Sequence, residues 1–488
     1  MERKSAIIIG GGLGGLIAAI KLKESGRNFT LIEKNPKVGG TWYDNRYPGC
    51  ACDVPVALYQ LSFAPSVLWS RIYPQAHEVQ AYAEELVQRY QLTPHIRLGT
   101  AAETVEWVAA SNKWHATTST GETVEGDILI GALGQLNRPA WPDIPGIETF
   151  KGAAMHTARW DDTVSWAGKR VGVVGSAASA VQAIPELAKT AAHLTVFQRT
   201  PNWMIPRNDQ PVTDELKALM MSNLEAAAKV QDLNRNLIFE NADGLTWHAF
   251  SFTDEGRAAL TRQALDHLHD QVSDPELRAK LTPDYPVGCK RILICDDFYP
   301  TLQLPHVSLE TDPIARVTPE GVEMKSGAQH AFDILVFATG FNTSDWRWSV
   351  DVQGPNETLN EAWAGGAEAH RGVTVAGFPN FFVLYGPNTN LGHNSITYML
   401  EAQVGYVIDA LDRMETGGLV TLQPRADIQS RYNEALQEEL AGTVWGDPTC
   451  GQSWYKAADG KITQNWSRPA RDFKEMLYEV RLEEFETA

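Results

Sequence analysis

A run of four apolar residues, Ala6–Ile9, leads straight into Gly10-Gly11-Gly12-Leu13-Gly14-Gly15 and then into an Ala/Ile/Leu-rich stretch ending at Glu24. Ser25-Gly26 closes that stretch, and Phe29–Ile32 follows with Glu33 at its tip and Lys34 behind it. Strand, tight turn, helix, strand, acid is a βαβ unit. In Gly10-x-Gly12-x-x-Gly15 the first glycine makes the turn. The second lets backbone approach a pyrophosphate at the helix start by Leu13, and the third lets helix and strand pack closely. The phosphate then meets the positive end of the helix dipole. Glu33 lies 18 residues beyond Gly15, placed to accept hydrogen bonds from ribose hydroxyls. An acid there favours a dinucleotide with a free 2′-hydroxyl, FAD or NAD.

A second unit of the same kind begins roughly 160 residues later, a spacing that marks duplication of a domain and not a short repeat. Arg170–Val174 is the strand, Gly175-Ser176-Ala177-Ala178-Ser179-Ala180 the turn, 181–189 the helix and 194–198 the next strand. Ala180 is tolerated at the third position, whereas Ala177 puts a methyl where backbone must approach phosphate. Beyond the strand, Arg199-Thr200 stands where an acid would otherwise sit. A guanidinium there matches a 2′-phosphate, with Lys290 and Arg291 as further candidates for the anion. The second site therefore reads as NADPH and the first as FAD; the plainer reading of Arg199 is a surface arginine.

Elsewhere, 127–130 and 333–337 are apolar strands ending in Gly131-Ala132-Leu133-Gly134 and Ala338-Thr339-Gly340-Phe341. The segment 137–146 holds three prolines and reads as a linker, while 215–232 and 254–269 carry helical periodicity. A long helix is expected near 398–414. The expected class is α/β, with two Rossmann-like dinucleotide-binding domains and a helical insertion in the second. The expected segments are 1–145 and 377–488 for FAD, 146–206 and 285–376 for NADP, and 207–284 for the helices.

Forty-two basic against sixty acidic residues give a formal charge of −18 over 488 residues. Such a chain repels phosphate backbones and anionic membranes, so nucleic acid is not an expected partner. No apolar stretch reaches the length of about 20 residues that spans a bilayer, and no signal peptide precedes Ala6. Five cysteines, an odd and sparse count, do not suggest a disulfide framework or a zinc site. Cys50 and Cys52 lack C-x-x-C spacing and read as free thiols near a turn. A cytoplasmic protein is expected, and its oligomeric state is open between monomer and dimer.

Three stretches together resemble the flavin-dependent Baeyer–Villiger monooxygenases. Phe150-x-Gly152-x-x-x-His156-x-x-x-Trp160-Asp161 matches that family's fingerprint. Gly39-Gly40-Thr41-Trp42 with Tyr47-Pro48-Gly49 and Asp53 matches its second fingerprint, and 196–203 is similar to its NADPH-ribose segment. Cys289-Lys290-Arg291, Thr339-Gly340 and Gly386-Pro387-Asn388 extend the resemblance over nearly the whole chain. Ala177 departs from the family's more usual glycine. The resemblance implies an NADPH- and O2-dependent conversion of ketones to esters or lactones through a C4a-peroxyflavin stabilised by Arg291 with Asp53.

It further implies that Gly40, Thr41 and Trp42 lie along FAD, that Thr339, Gly340 and Asn388 contact cofactor, and that Trp454 closes over NADP. An ordinary core or surface aromatic is the other reading of Trp454, and a turn cap that of Asp53. Phe150, Gly152, His156 and Trp160 read as a hinge, with His156 hydrogen-bonded and moving no proton. Trp247, Phe250 and Phe252 read first as core packing and second as a substrate entrance. The alternatives to the main reading are an S- or N-oxygenating flavin enzyme accepting a thioether, a flavoprotein disulfide reductase, and a nucleotide-binding flavoprotein without turnover.

Overall fold

Strands buried on both faces are near-continuous apolar runs, and two five-stranded parallel sheets are built on such runs. The computed structural model describes residues 3–250, 254–343, 346–451, 454–457 and 459–488. The first sheet has the order Phe381–Val383, Ile128–Gly131, Ala6–Ile9, Phe29–Ile32, Ile96–Arg97. Its central strand pairs Ala6 with Phe29 on one side and with Ile128 on the other. The second sheet has the order Val307–Glu310, His193–Phe197, Arg170–Val174, Ile334–Phe337, Ala153–His156. Each nucleotide turn leaves the central strand of its sheet and enters a helix, Leu13–Glu24 or Ala178–Ala188. The second helix begins three residues earlier than its apolar pattern suggests.

The last part of the chain returns to the first sheet. Asn380, at φ +57, donates from Nδ2 to the carbonyls of Asp127 and Val420, both at 3.0 Å, and accepts from Leu422 N at 2.8 Å. It thereby fixes Phe381–Val383 beside Ile128–Gly131. The long helix Ile396–Gly417 packs against Leu13–Glu24. The Arg27 guanidinium, fully buried, holds the two together through Asp412 at 2.6 Å and Glu415 at 2.8 Å. Two further sheets escaped the sequence reading. In one, Ala102–Val108, Lys113–Thr118 and Thr123–Gly126 pair antiparallel and Val352–Gln353 adds parallel to Ala102–Val108; the other is the antiparallel Ile314–Thr318, Gly321–Met324 and Gln329–Ala331.

Helices Asp214–Ser222, Leu224–Asn241, Asp254–Gln271 and Pro275–Leu281 leave the second sheet after Phe197 and return to it at Val307. The periodicity of 215–232 is broken at Asn223, whose side chain caps the next helix by accepting from Ala226 N at 3.0 Å. Helix Leu224–Asn241 runs on into a π-turn, Ala242–Thr246. Such widened turns re-aim side chains, and this one buries Asp243. Its carboxylate accepts from Asn394 Nδ2, Ala470 N and Arg471 N, each at 2.9 Å, and from His393 Nε2 at 3.2 Å. Burial pushes the carboxyl upward, but these donors outweigh it and hold it at about 2. Trp247 packs at a tilt against His393 and Phe250 against Trp445 in the core; Phe252 lies outside the described residues.

Asp243 therefore pins the helical segment to the 393–394 and 470–471 loops. Asp243→Ala removes one charge and strands four donors, which costs about 3 kcal/mol or more for a buried, fully bonded carboxylate. Thermal unfolding of the purified variant at neutral pH checks this; a shift in Tm of under a degree would contradict it.

Candidate functional site

The carboxyl-terminal ends of both parallel sheets open onto one cleft of ≈ 1190 Å³, the place where open α/β sheets bind ligands. At the first turn, Gly10 has φ +109, and a Cβ on Gly15 would lie 1.9 Å from Gly10 O. The third glycine is thus required by contact between helix and strand. Gly12 caps the helix without any side-chain hydrogen bond, so the first N–H groups there have no side-chain acceptor. A Cβ on Gly40 would lie 2.9 Å from Gly12 Cα. The Gly39-Gly40 turn is stacked directly on the nucleotide turn, and Thr41 and Trp42 continue along the cleft. Trp42 Nε1 donates to the Tyr59 hydroxyl at 3.1 Å. Glu33 is buried and accepts from Gly11 N at 2.6 Å and Asn35 N at 2.8 Å. Burial raises its carboxyl, opposed by those two bonds and by Lys34.

The second turn repeats the arrangement. Gly175 has φ +115, and a Cβ there would lie 2.5 Å from Ala338 O. Ala177 caps helix Ala178–Ala188 in extended backbone, again with no side-chain hydrogen bond, and its exposed methyl lines the cleft. Ser176, Ser179, Arg199, Thr200, Lys290, Thr339 and Gly340 line it as well. Lys290 Nζ sits 4.4 Å from the centre of the Tyr285 ring, and its ammonium is lowered by burial and then by Arg199. Two cations therefore converge here, and Arg199 makes no ion pair among the described residues. Both helix starts, uncapped and opening on one cleft, fit the two pyrophosphates of two dinucleotides.

Between the two turns stands an ion pair. Arg291 Nε and Nη2 both reach Asp53 Oδ2, at 2.8 Å and 2.7 Å. The Asp53 charge holds the guanidinium well above its ordinary pKa. Tyr385, Asn390 and Asn394 complete this wall, with the Tyr385 hydroxyl donating to Asn390 Oδ1 at 2.6 Å. Sequence reasoning missed these three. Their signal was position alone, immediately beyond the end of strand Phe381–Val383. Within the 196–203 stretch, Asn202, given no role of its own from the sequence, donates from its amide to Ser176 O at 2.9 Å and secures the second turn.

Trp454 lines the cleft, with its carbonyl accepting from Thr343 Oγ1 at 3.3 Å. Gly15 and Ala180 lie behind their turns in the core, and Asn388 is not on the cleft surface. The Asn388 amide is spent on the carbonyls of Ile462, at 2.7 Å, and Asn465, at 3.0 Å. The structure thus gives Asn388 a bracing position where cofactor contact was expected.

Phe150, Gly152, His156 and Trp160 are absent from the cleft lining. A Cβ on Gly152 would lie 2.4 Å from Asp333 O, so this glycine permits entry into strand Ala153–His156. His156 is fully buried, accepts from Ala158 N at 3.0 Å through Nδ1, and packs against Trp141 and Phe341. Beside it, Thr157 Oγ1 and Ser179 Oγ lie 3.1 Å apart, linking this strand end to the second nucleotide turn. Trp160 packs edge-on to Trp166.

The cysteines correct one expectation. Cys289 and Cys450 form a disulfide, with Cα atoms 5.1 Å apart across 161 residues. A tertiary contact of that separation leaves no trace in residue spacing. Cys50 and Cys52 are free and buried. Burial pushes the Cys50 thiol up to about 12 and raises Cys52 too. Neither is poised as a thiolate, which argues against disulfide reduction. Among the described residues no group of His, Cys, Asp and Glu could hold a metal, and no helix is long and apolar enough to cross a membrane.

The pyridine nucleotide-disulphide oxidoreductase family model matches residues 7–242. The chain is 38% identical over 488 residues to a Baeyer-Villiger monooxygenase of Streptomyces coelicolor, covering 99% of this chain and 93% of the relative. It is 38% identical over 450 residues to a Baeyer-Villiger monooxygenase of Pseudomonas aeruginosa, covering 92% and 84%. Among solved structures it is similar to OTEMO in complex with FAD and NADP, with a TM-score of 0.88, 26% identity and 99% of both chains covered. The closed form of cyclohexanone monooxygenase superposes with a TM-score of 0.87 at 29% identity over 100% of both chains.

The setting of His156 makes a pH prediction. Burial, then Arg159, lowers its imidazole to about 4 from an ordinary 6.5. Between those values the unfolded chain binds a proton that the folded protein refuses, so stability falls as pH is lowered through this window. From pH 7 to pH 5, native protein should lose about 2 kcal/mol more than His156→Gln does. Denaturant unfolding at the two pH values measures this. Equal losses would mean that the imidazole is protonated where it stands.

Proposed function

The chain belongs to the Baeyer–Villiger monooxygenase family, and on that premise we propose that Arg291, held by Asp53, carries the charge in a ketone-oxygenating cleft. The enzyme is FAD-dependent and uses NADPH. When bound, the two cofactors would supply the reducing equivalents and the O2-derived oxygen needed for insertion beside a carbonyl, giving an ester or lactone.

The protein must seat both dinucleotides, orient the ketone and stabilise negative charge. The uncapped start of Leu13–Glu24, with Gly12 and Gly40 leaving room for backbone approach, is assigned to the FAD pyrophosphate. The start of Ala178–Ala188 is assigned to that of NADPH, and Arg199 with Lys290 to its 2′-phosphate. The segments 1–145 and 377–488 then serve FAD, and 146–206 and 285–376 serve NADP. The helices within 207–284 form an insertion in the NADP part. The shared membership of Ala6–Ile9 and Phe381–Val383 in one sheet supports the first grouping, and that of Ala153–His156 and Ile334–Phe337 in the other supports the second.

The observation that carries the catalytic reading is the Asp53–Arg291 pair at the junction of the two turns. As oxygen adds to the carbonyl carbon, negative charge builds on oxygen. A permanently protonated, preoriented guanidinium stabilises it without reorganising. Asp53 holds the proton on Arg291 and fixes the plane of its donors. Trp42, Tyr385 and Trp454 give the cleft apolar walls that limit water.

Arg291→Ala should retain FAD and lose ester formation by about 10²–10³-fold. Oxidation of a thioether, which builds no alkoxide, should fall less. Product mass with a ketone and a thioether reads both, and retained ester synthesis would overturn the role of Arg291. Native protein that makes sulfoxide but no ester would overturn the ketone reading itself. Arg199→Ala should raise the KM for NADPH by about tenfold, the worth of one charge-assisted contact, and leave NADH unaffected. An unchanged NADPH/NADH ratio would remove Arg199 from the 2′-phosphate.

A further inference from the structure

The Cys289–Cys450 disulfide lies behind the cleft, and each partner adjoins a side chain on its surface. Cys289 immediately precedes Lys290 and Arg291, and Cys450 ends the short turn Pro448–Cys450, four residues before Trp454. Lys290, Arg291 and Trp454 all line the cleft. The bond itself is inside the protein, with Cys289 0% and Cys450 4% exposed. Its surroundings are tightly filled: a Cβ on Gly288 would lie 3.2 Å from Phe250 and 3.3 Å from Val444, and Phe250 in turn packs on Trp445. Beyond Cys450, Trp454 lies against Tyr455 with ring centroids 4.5 Å apart.

We propose that Cys289–Cys450 is a positioning bond that sets where Arg291 and Trp454 stand relative to each other in the cleft, and through it the grip on NADPH. This rests on the function proposed above for the same cleft. Without the bond, the segments carrying Cys289 and Cys450 are related through 161 residues of chain and their packing alone. With it, Trp454 is within four residues of a covalent anchor, a reach of at most about 14 Å. Arg291 is two residues from the other end of the same anchor. A disulfide closing so long a loop typically adds stability; this one also joins two segments that line the same cleft. Exchange with a solvent thiol needs access to sulfur, and these sulfurs are buried. The bond is therefore a permanent brace and not a redox switch.

The first test is a thiol count. Denatured, unreduced protein treated with an alkylating agent should take up three groups by mass, on Cys50, Cys52 and Cys295, and five after reduction. Five before reduction would overturn the proposal. The second test uses FAD-loaded Cys289→Ser/Cys450→Ser and Cys289→Ala/Cys450→Ala proteins. Both pairs should bind NADP+ at least fivefold more weakly by fluorescence titration, with an equal rise in the KM for NADPH. A larger share of NADPH consumed should appear as hydrogen peroxide, while kcat for NADPH oxidation stays within twofold. A lower Tm with unchanged NADP+ affinity, or failure of both pairs to fold, would make the bond structural only and overturn its positioning role. Native protein that forms no ester would strike the proposed function instead, and the thiol count and NADP+ titration would still judge the bond.

Discussion

The Asp53–Arg291 pair depends on a chain of contacts that begins at the second nucleotide turn. Helix Ala178–Ala188 carries Gln182, whose side chain accepts from the Tyr47 hydroxyl at 2.8 Å and donates to Ala51 O at 3.0 Å. A Cβ on Gly49 would lie 2.4 Å from Gln182 O, so the loop can lie this close to the helix only with glycine there. Tyr47-Pro48-Gly49 is thereby docked on the helix, and Asp53 follows at the end of the docked loop. Arg291 arrives from the other side, on the segment leading into strand Leu293–Ile294. A residue of the first dinucleotide unit and a residue near the second thus meet across a loop that Gln182 docks on the helix and that backbone bonds from Cys52 N to Pro74 O and from Ala76 N to Cys50 O also hold. Two of the guanidinium's five donors are spent on one carboxylate oxygen. The remainder of the fork stays in the cleft that both units line.

Charge imposes a second constraint. A surface of −18 opposes the approach of polyanionic cofactors, so local features must supply the attraction. Two uncapped helix starts contribute partial positive charge where the backbone is most open. Arg199 and Lys290 add full charges close enough to disturb each other, so that Arg199 adds to the lowering that burial imposes on the Lys290 ammonium. Their mutual repulsion is a cost the apo protein bears, and an anion placed between them relieves it. Elsewhere basic side chains are largely consumed in ion pairs, as Arg27 is by Asp412 and Glu415, and Arg170 by Asp333. Arg199 and Lys290 differ: they line the cleft and make no ion pair among the described residues.

Features governed by local backbone demands were legible in the sequence. Gly10, Gly15 and Gly175 occupy positions where a Cβ would strike a carbonyl, and that necessity is written in residue type. The same holds for the buried apolar strands and for the helix read at 254–269, whereas the stretch 215–232 is divided between two helices at Asn223. What failed to show were features assembled by tertiary contact. Lys113–Thr118 alternates in burial as a half-buried strand should, yet its residues, Lys-Trp-His-Ala-Thr-Thr, hide the period in a mixture of polar and apolar types. Tyr385, Asn390 and Asn394 reach the cleft because Phe381–Val383 joins a sheet whose other strands lie some 250 residues away or more. Asn388 was misplaced for a related reason. A Gly-Pro-Asn turn looks like a ligand loop, but the amide is claimed by Ile462 and Asn465, which sequence adjacency cannot reveal.

The cysteines separate fold from chemistry. The family model matched by residues 7–242 is named for disulfide chemistry, and two cysteines, Cys50 and Cys52, do line the cleft. Reduction of a disulfide would require one of them to attack as thiolate. Both are buried beside the Asp53 carboxylate, and burial followed by that negative charge keeps their protons on, with only the Tyr47 hydrogen bond opposing at Cys50. Asp53 thus acts in two directions: it keeps Arg291 protonated and charged, and it helps keep the neighbouring thiols protonated and neutral. A cleft set up this way presents a cation and keeps Cys50 and Cys52 from serving as thiolates, which suits a reaction whose attacking oxygen is brought by the cofactor.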